Sequence, residues 1–292
     1  MTAPATAPAS STRPGTAGVL LAMFGAGLPV EDIYSERGSV LYDLLGRDDE
    51  HEVAELRAAL GGPRRTVLEL ACGSGRLTLP LLADGHDVVA LEKSPTMLRL
   101  LAARAGEAAR AGEAGRLTLV EGDMTRFDLG RRFDVIVLGA TSVSLLDQDG
   151  RAAMFRAIRD HLAPAGSFLL STLQMRRGPM LAQPVRESVR VLAVPGPGGP
   201  GGSLVTFIEW IDGAAGHRLV SALQAEITPS GAVDHRLFTS QVAILDVAEL
   251  TSELAAAGLV VADRAQITGG AEPDRATLML RCVHHDDTTG GR

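Results

Sequence analysis

Residues 67–78 read V-L-E-L-A-C-G-S-G-R-L-T, an apolar run that carries one acid and ends in small residues. Thr66–Ala71 has the length and character of a buried strand, and Arg76–Asp84 follows at helical spacing. Glycines between a strand and a helix let the backbone take positive φ and approach a ligand closely. Gly73 and Gly75 fill those positions here, with Ala71 two residues ahead and Glu69 inside the strand.

The same rhythm continues downstream. Asp87–Leu91 is a second strand, and Glu92 follows it seventeen residues after Gly75. Pro95–Ala108 is a helix with Met97, Leu98, Leu101 and Ala102 on its apolar side. Leu117–Glu121 and Phe133–Leu138 are further strands. The helix Arg151–Leu162 places Met154, Phe155, Ile158 and Leu162 on one face, and Pro164 and Gly166 stop it before the strand Phe168–Ser171. Strands alternating with helices imply βαβ crossovers and a parallel sheet.

Near Arg186 the pattern changes. Glu187–Val194, Leu204–Ile211, Arg218–Ile227 and Arg236–Leu245 read as four strands, with the Gly/Pro stretch Pro195–Gly202 between the first two. Connections of hairpin length predict an inserted antiparallel sheet. Val247–Ala257 then reads as a helix, Leu259–Ala262 and Thr277–Cys282 as strands. The expected division is a disordered tail over 1–17, an N-terminal helical cover over 18–62, and a cofactor-binding core over 63–175. Inserted strands follow over 176–246, the end of the core over 247–283 and a polar tail over 284–292.

Composition removes several function classes. The 292 residues hold 28 Lys plus Arg against 35 acids, a net charge of −7, which argues against a nucleic-acid partner. Aromatic residues are 3% of the chain, too few for base-stacking platforms. Cys72 and Cys282 form no zinc or disulfide pattern, which fits a reducing cytoplasm. Gly18–Val30 is apolar over 13 residues, too short to span a bilayer. Gly25, Gly27 and Pro29 interrupt it, so it reads as a cover on the fold and not as an export signal.

Two phosphate-binding motifs fail at the Gly73–Gly75 turn. A dinucleotide fingerprint counted from Gly73 needs Gly or Ala where Thr78 stands, and counted from Ala71 it needs one where Arg76 stands, a side chain that would crowd the helix–strand contact. No GK[ST] follows, so a P-loop is excluded. Three acids, however, are each tied to a different strand: Glu69, Glu92 and, in Glu121-Gly122-Asp123-Met124, Asp123. A carboxylate at Glu92 can accept from both ribose hydroxyls. Asp123 can accept from an adenine amino group, with Met124 as a soft apolar neighbour.

This arrangement resembles the class I S-adenosylmethionine-dependent methyltransferases, over about Tyr34–Val283 and most strongly over Val67–Thr172. The resemblance implies an α/β seven-stranded Rossmann-like core with S-adenosyl-L-methionine as cofactor and no metal. It implies that Glu69 holds the methionyl amino group, Gly73 lies against the methionyl part, Glu92 binds ribose, and Asp123 with Met124 borders adenine. Ala71, Gly75, Lys93, Met97 and Leu138 complete the expected cofactor set. Ala71 departs from the family's usual Gly, tolerable if its φ is not positive. Glu92 replaces the commoner Asp.

The acceptor side follows the fourth strand, where Gly139-Ala140-Thr141-Ser142 stands in place of Asn-Pro-Pro-Tyr. None of the seven histidines lies at a recognisable strand end. His161 reads as a surface residue of its helix, and His284-His285-Asp286-Asp287 as a solvated tail and not a metal site. A nucleophile that is already neutral needs no base, and proximity and orientation then supply most of the acceleration. The appended strands, His235–Val261 and Tyr42-Asp43-Leu44-Leu45 look like the N-methyltransferases that dimethylate primary amines in bacterial antibiotic biosynthesis. Those acting on the aryl amine of 4-amino-L-phenylalanine in streptogramin pathways look nearest. Daptide-type peptide N-methyltransferases, aminosugar N,N-dimethyltransferases and small-molecule O-methyltransferases are the alternatives, and a non-catalytic cofactor-binding regulator is the reading from another class. Acceptor-side candidates are Thr141, Ser142, Tyr34, Tyr42 and Trp210; carboxylate-binding candidates are Arg37, Arg176, Arg177 and Arg186. The expected partner is a small-molecule amine, with no nucleic acid or membrane, and a homodimer is left open.

Overall fold

The computed structural model describes residues 13–110, 116–175, 185–195, 202–228, 230–268 and 275–285. In chain order the elements begin with α1 (Gly15–Phe24), β1 (Val30–Glu31), α2 (Glu36–Gly46), α3 (Val53–Leu60), β2 (Thr66–Leu70) and α4 (Thr78–Ala83). Next come β3 (Asp87–Glu92), α5 (Pro95–Arg110), β4 (Arg116–Glu121), β5 (Phe133–Leu138), α6 (Gln148–His161) and β6 (Leu162–Met175). After them stand β7 (Arg186–Pro195), β8 (Gly202–Asp212), β9 (His217–Ile227), β10 (Val233–Ala243), α7 (Val247–Ala256), β11 (Leu259–Gln266) and β12 (Arg275–His284). They fall into two units: one within Met1–Leu45 and Pro179–Val242, the other within Gly46–Gly178 and Ala243–Arg292.

The larger unit is built on a seven-stranded sheet in the order β11-β12-β6-β5-β2-β3-β4. Alternation along β2 sets its two faces. Leu68 and Leu70 join Ile136, Leu138, Phe168 and Leu170 under Phe155 and Ile158 of α6 and Leu250 and Leu254 of α7. Val67 joins Val135, Val137 and Leu169 on the other side, under Leu56 and Leu60 of α3 and Leu81 of α4. Because helices cover both faces, the strands read as continuous apolar runs. β3 and β4 extend the sheet one way from β2, while β5 and β6 extend it the other way, all in parallel. That reversal beside β2 is the switch point of an open α/β sheet, where a crevice opens beyond the carboxyl ends of the strands.

The sheet is mixed and not wholly parallel. β12 runs antiparallel to both β6 and β11, because the short β11–β12 connection leaves no room for a crossover. β6 is also longer than its apolar run, since β12 partners it from Phe168 as far as Met175. α6 starts before Arg151 because Asp147 caps it, accepting from Gly150 N at 2.8 Å. Arg151 then reaches α7 and donates to both oxygens of Glu253, at 2.7 and 2.6 Å.

His161 is buried, which corrects its surface reading. Its Nδ1 lies 2.8 Å from Ala157 O and its Nε2 accepts from Leu129 N at 2.9 Å. A neutral ring protonated on Nδ1 satisfies both contacts. The charge pattern of the helix hid this, because His161 sits among Arg159 and Asp160 in the last turn.

The smaller unit carries a five-stranded sheet in the order β1-β10-β9-β8-β7. β7 with β8 and β8 with β9 pair antiparallel over their full lengths, and β1 joins β10 in parallel. Val205, Ala222 and Phe238 pack with Ile33 and Leu41 in its core. α1 begins inside the stretch expected to be a tail: Glu187 of β7 accepts from Thr16 N and Oγ1, both at 2.7 Å, an acid at a helix N-terminus. Among the described residues, no helix is long and apolar enough to cross a membrane.

Candidate functional site

The turn after β2 is a run of left-handed residues. Ala71 has φ 50°, Gly73 56° and Gly75 92°. Ala71 therefore occupies the very region in which its methyl is unfavourable, contrary to the condition set on it above. A Cβ on Gly75 would meet Leu101 Cδ1 at 2.3 Å, so any side chain there would have to displace Leu101 as well as accept a φ of 92°. A Cβ on Gly73 would meet nothing within 4 Å, and its face of the turn is open.

Period-two alternation puts Glu69 on the α4 side of the sheet, where it is buried. Thr78 Oγ1 donates to its Oε2. Burial is the main influence on this carboxyl and pushes it up to about 8, with Thr78 and Arg76 opposing and Glu52 and Glu92 adding to the rise. The protonated form thus dominates at neutral pH unless a cation arrives.

Glu92, at the end of β3, accepts from Gly73 N at 3.0 Å through Oε2 and from Ser94 N at 2.8 Å through Oε1. It ties the glycine turn to the next strand, and each oxygen keeps a lone pair for a hydroxyl donor. Lys93 is exposed and pairs with Asp123 Oδ2 at 3.1 Å. Asp123 Oδ1 accepts from Thr125 N and Oγ1 at 2.9 and 2.7 Å. Burial raises the Asp123 carboxyl, but Thr125 and Lys93 outweigh it and hold the group below its ordinary value. Met124 and Ala71 both pack against the core of the larger unit. Met97 and Leu138 are buried, Leu138 completely.

The turn after β5 is left-handed at two consecutive non-glycine residues, Ala140 (φ 54°) and Thr141 (φ 55°). Ala140 N donates to Glu52 Oε2 at 2.9 Å, and Thr141 N donates to Ser171 Oγ at 3.0 Å. Ser142 and Ser144 are buried behind them. Glu52 and Ser171 carry no motif, and nothing in their local sequence marks them. Arg76, read above as an obstruction, instead bonds Glu52 Oε2 at 2.7 Å and the His51 carbonyl.

Most of the remaining candidates belong to the smaller unit. The Tyr34 and Tyr42 rings meet at a tilt, 5.5 Å between centroids, in the smaller unit, where Arg37 pairs with Glu31 at 4.0 Å. Trp210 sits 5.9 Å from the His217 ring, and Arg186 opens β7. Arg176 and Arg177 lie outside the described residues, as do Asp286 and Asp287 of the His-Asp tail. Among the described residues, no three His, Cys, Asp or Glu side chains gather as a metal site. A cavity of about 550 Å³ lined by Arg65, Asp134 and Arg281 opens by the amino-terminal ends of β2 and β5, the end of a parallel sheet opposite to its ligand crevice.

Comparison with known proteins agrees with this geometry. Residues 67–166 match the family model described as a methyltransferase domain. The match spans β2 to the start of β6 and takes in every acid of the site except Glu52. A cypemycin N-terminal methyltransferase of Streptomyces sp is 33% identical over 107 residues, 36% of this chain and 41% of that protein. A dTDP-3-amino-3,6-dideoxy-alpha-D-glucopyranose N,N-dimethyltransferase of Streptomyces fradiae is 33% identical over 142 residues, 46% of this chain and 52% of that one. The chain spans about half the length of these curated relatives. Among solved structures, the glycopeptide N-methyltransferase MtfA complexed with sinefungin is 27% identical, with a TM-score of 0.62 over 94% of this chain and 99% of that one. Its complex with S-adenosyl-L-methionine is 29% identical, with a TM-score of 0.54 over 81% of this chain and 94% of that one. The larger unit is thus an α/β Rossmann-like methyltransferase fold.

Proposed function

We propose that the chain is an S-adenosyl-L-methionine-dependent N-methyltransferase of natural-product biosynthesis, acting on a small primary amine. The observation that carries this reading is Glu69, a buried carboxyl pushed up to about 8 with Glu52 and Glu92 nearby and the guanidinium of Arg76 beside them. A site so rich in carboxylates favours a cationic ligand. The residues fit the cofactor: Glu69 meets its ammonium, the open face of Gly73 leaves room for its methionyl chain, and Glu92 has lone pairs for ribose hydroxyls. When bound, S-adenosyl-L-methionine supplies an electrophilic methyl group on a sulfonium.

The chain's own part is to hold and orient. Glu92 fixes the glycine turn through Gly73 N. Asp123 and Met124 border the base, and Thr141 stands beyond β5 on the acceptor side, with Ser142 buried next to it in the chain. No histidine stands at this turn, so a neutral amine suits it better than a phenol, which must lose a proton. The names of the cypemycin, aminosugar and glycopeptide enzymes point to amines as well, while other relatives are named as O-methyltransferases. The aryl amine of 4-amino-L-phenylalanine remains our proposed acceptor, mono- and dimethylated, with Arg37, Arg176, Arg177 and Arg186 as candidates for its carboxylate. Two free, buried cysteines suit a cytoplasmic protein.

The test is mass spectrometry of a panel incubated with S-adenosyl-L-methionine: 4-amino-L-phenylalanine, aminosugar nucleotides, peptides with free amino termini, and phenols. Mono- and dimethylated amine with inert phenols supports the reading. Methylated phenol alone, or cofactor binding with no product from any acceptor, overturns it.

A further inference from the structure

Among the described residues, four non-glycine residues have positive φ: Glu52, Ala71, Ala140 and Thr141. Ala71 lies in the turn after β2, Ala140 and Thr141 lie in the turn after β5, and Glu52 is hydrogen-bonded to both neighbourhoods. Backbone strain persists only where its surroundings over-determine it, and it concentrates at working sites. Thr141 is β-branched, for which the left-handed region is a true outlier.

Glu52 precedes α3 at φ 74° and is 1% exposed. A buried carboxylate is costly unless paired, and even a paired one contributes little to stability beyond what an apolar substitute could. Its partners therefore carry its meaning. Oε2 accepts from Ala140 N at 2.9 Å, and Oε1 shares that donor at 3.2 Å. Oε2 also accepts from Arg76 Nη2 at 2.7 Å. Arg76 in turn donates to the carbonyls of His51 and Asp49, which locks the chain ahead of α3 to the glycine turn. A Cβ on Gly139 would stand 3.2 Å from Glu52 Oε2 and 2.3 Å from Leu77 Cδ1, so the carboxylate fits against bare backbone.

We infer that Glu52 is a positioning residue. Its carboxylate holds the Ala140–Thr141 turn in its left-handed form, and through Arg76 it ties that acceptor-side turn to the cofactor-side turn. The inference rests on the methyltransferase reading for its catalytic consequence, but its structural content can be measured without turnover.

The experiment compares wild type, Glu52→Ala and Glu52→Gln by amide hydrogen exchange, with S-adenosyl-L-homocysteine bound, and by turnover of 4-amino-L-phenylalanine. Glu52→Ala is expected to speed exchange at Ala140 and Thr141 by more than about tenfold, the weight of a hydrogen bond to a charged group. Val137 and Leu138 of β5 should keep their wild-type rates. Glu52→Gln retains an oxygen acceptor and should restore most of the protection. For turnover, Glu52→Ala should lower kcat by about tenfold or more while the KM for S-adenosyl-L-methionine moves by less than about threefold. If Glu52→Ala does not fold, Gly139→Ala displaces the carboxylate from the other side and should give the same selective exchange. Equal exchange in all variants, or acceleration spread evenly through β5, overturns the inference. Failure of wild type to bind S-adenosyl-L-methionine overturns the methyltransferase reading instead and leaves the exchange result to decide Glu52 alone.

Discussion

After β2 the left-handed positions are Ala71, Gly73 and Gly75, and after β5 they are Ala140 and Thr141. The first turn obtains its shape mainly from residues without side chains. The second obtains it from side chains elsewhere, since Glu52 and Ser171 capture its two N–H groups. A glycine turn is therefore written in its own local sequence, whereas a captured turn depends on residues about 88 and 30 positions away. Under the proposed function the difference has a use: the first turn stays open to a ligand, and the second is held in one arrangement.

The largest expected effect comes from Gly75→Ala, which adds both a clash with Leu101 and a side chain at φ 92°. A loss of about 3 kcal/mol in urea unfolding is expected, with cofactor binding abolished. A near-neutral result breaks the claim that glycine builds the first turn.

Next is Glu69→Gln, which keeps the shape and removes the titration. Calorimetry should show cofactor affinity reduced by about ten- to hundredfold, the loss of a charge-assisted bond. The pH dependence has a definite sign. The Glu69 carboxyl rises on folding from 4.5 to about 8, so its contribution is fully present below pH 4.5 and is lost as pH climbs to about 8. Wild type should become less stable over that window, and the variant should lack that part of the slope. In wild type, cofactor binding near pH 7 should release a proton, read from binding enthalpies in buffers of different ionisation heat. No buffer dependence would mean Glu69 is not the ammonium's partner.

Ser171→Ala tests the second turn by leaving Thr141 N without its acceptor. A loss of about 1.5 kcal/mol is expected, with Ser142 and Ser144 losing their order more than the glycine turn does. The smallest effect is Ala71→Gly, where relief of the left-handed alanine should stabilise by about 1 kcal/mol. If Ala71→Gly instead destabilises, the methyl is contributing contacts to the core that its φ alone does not reveal.

The sheet was legible because its evidence is local: buried strands such as Phe133–Leu138 and periodic helices such as α5 declare themselves residue by residue. The acids Glu69, Glu92 and Asp123 were legible for the same reason, being within β2, at the end of β3 and just past β4. What stayed hidden depends on partners distant in sequence. β6 ran past Ser171 because β12, about a hundred residues later, pairs with Thr172–Met175. His161 looked solvated because the Phe127 ring and Leu129 N that cover it come from a loop more than thirty residues away. Glu52 looked like one acid among the run Asp48-Asp49-Glu50, and only folding separates it from its neighbours.

The two thiols offer a pair of clocks. Cys72 lies within the cofactor-side turn, its Sγ 3.6 Å from Gly73 O, and burial pushes it up. Cys282 lies fully buried in β12, pushed up to about 12. Neither reacts as it stands, since the thiolate is the nucleophile. Alkylation at Cys72 therefore times the local parting of the glycine turn, while alkylation at Cys282 times the unravelling of the whole sheet. The ratio of the two rates measures how far the ligand-binding end of this molecule breathes on its own.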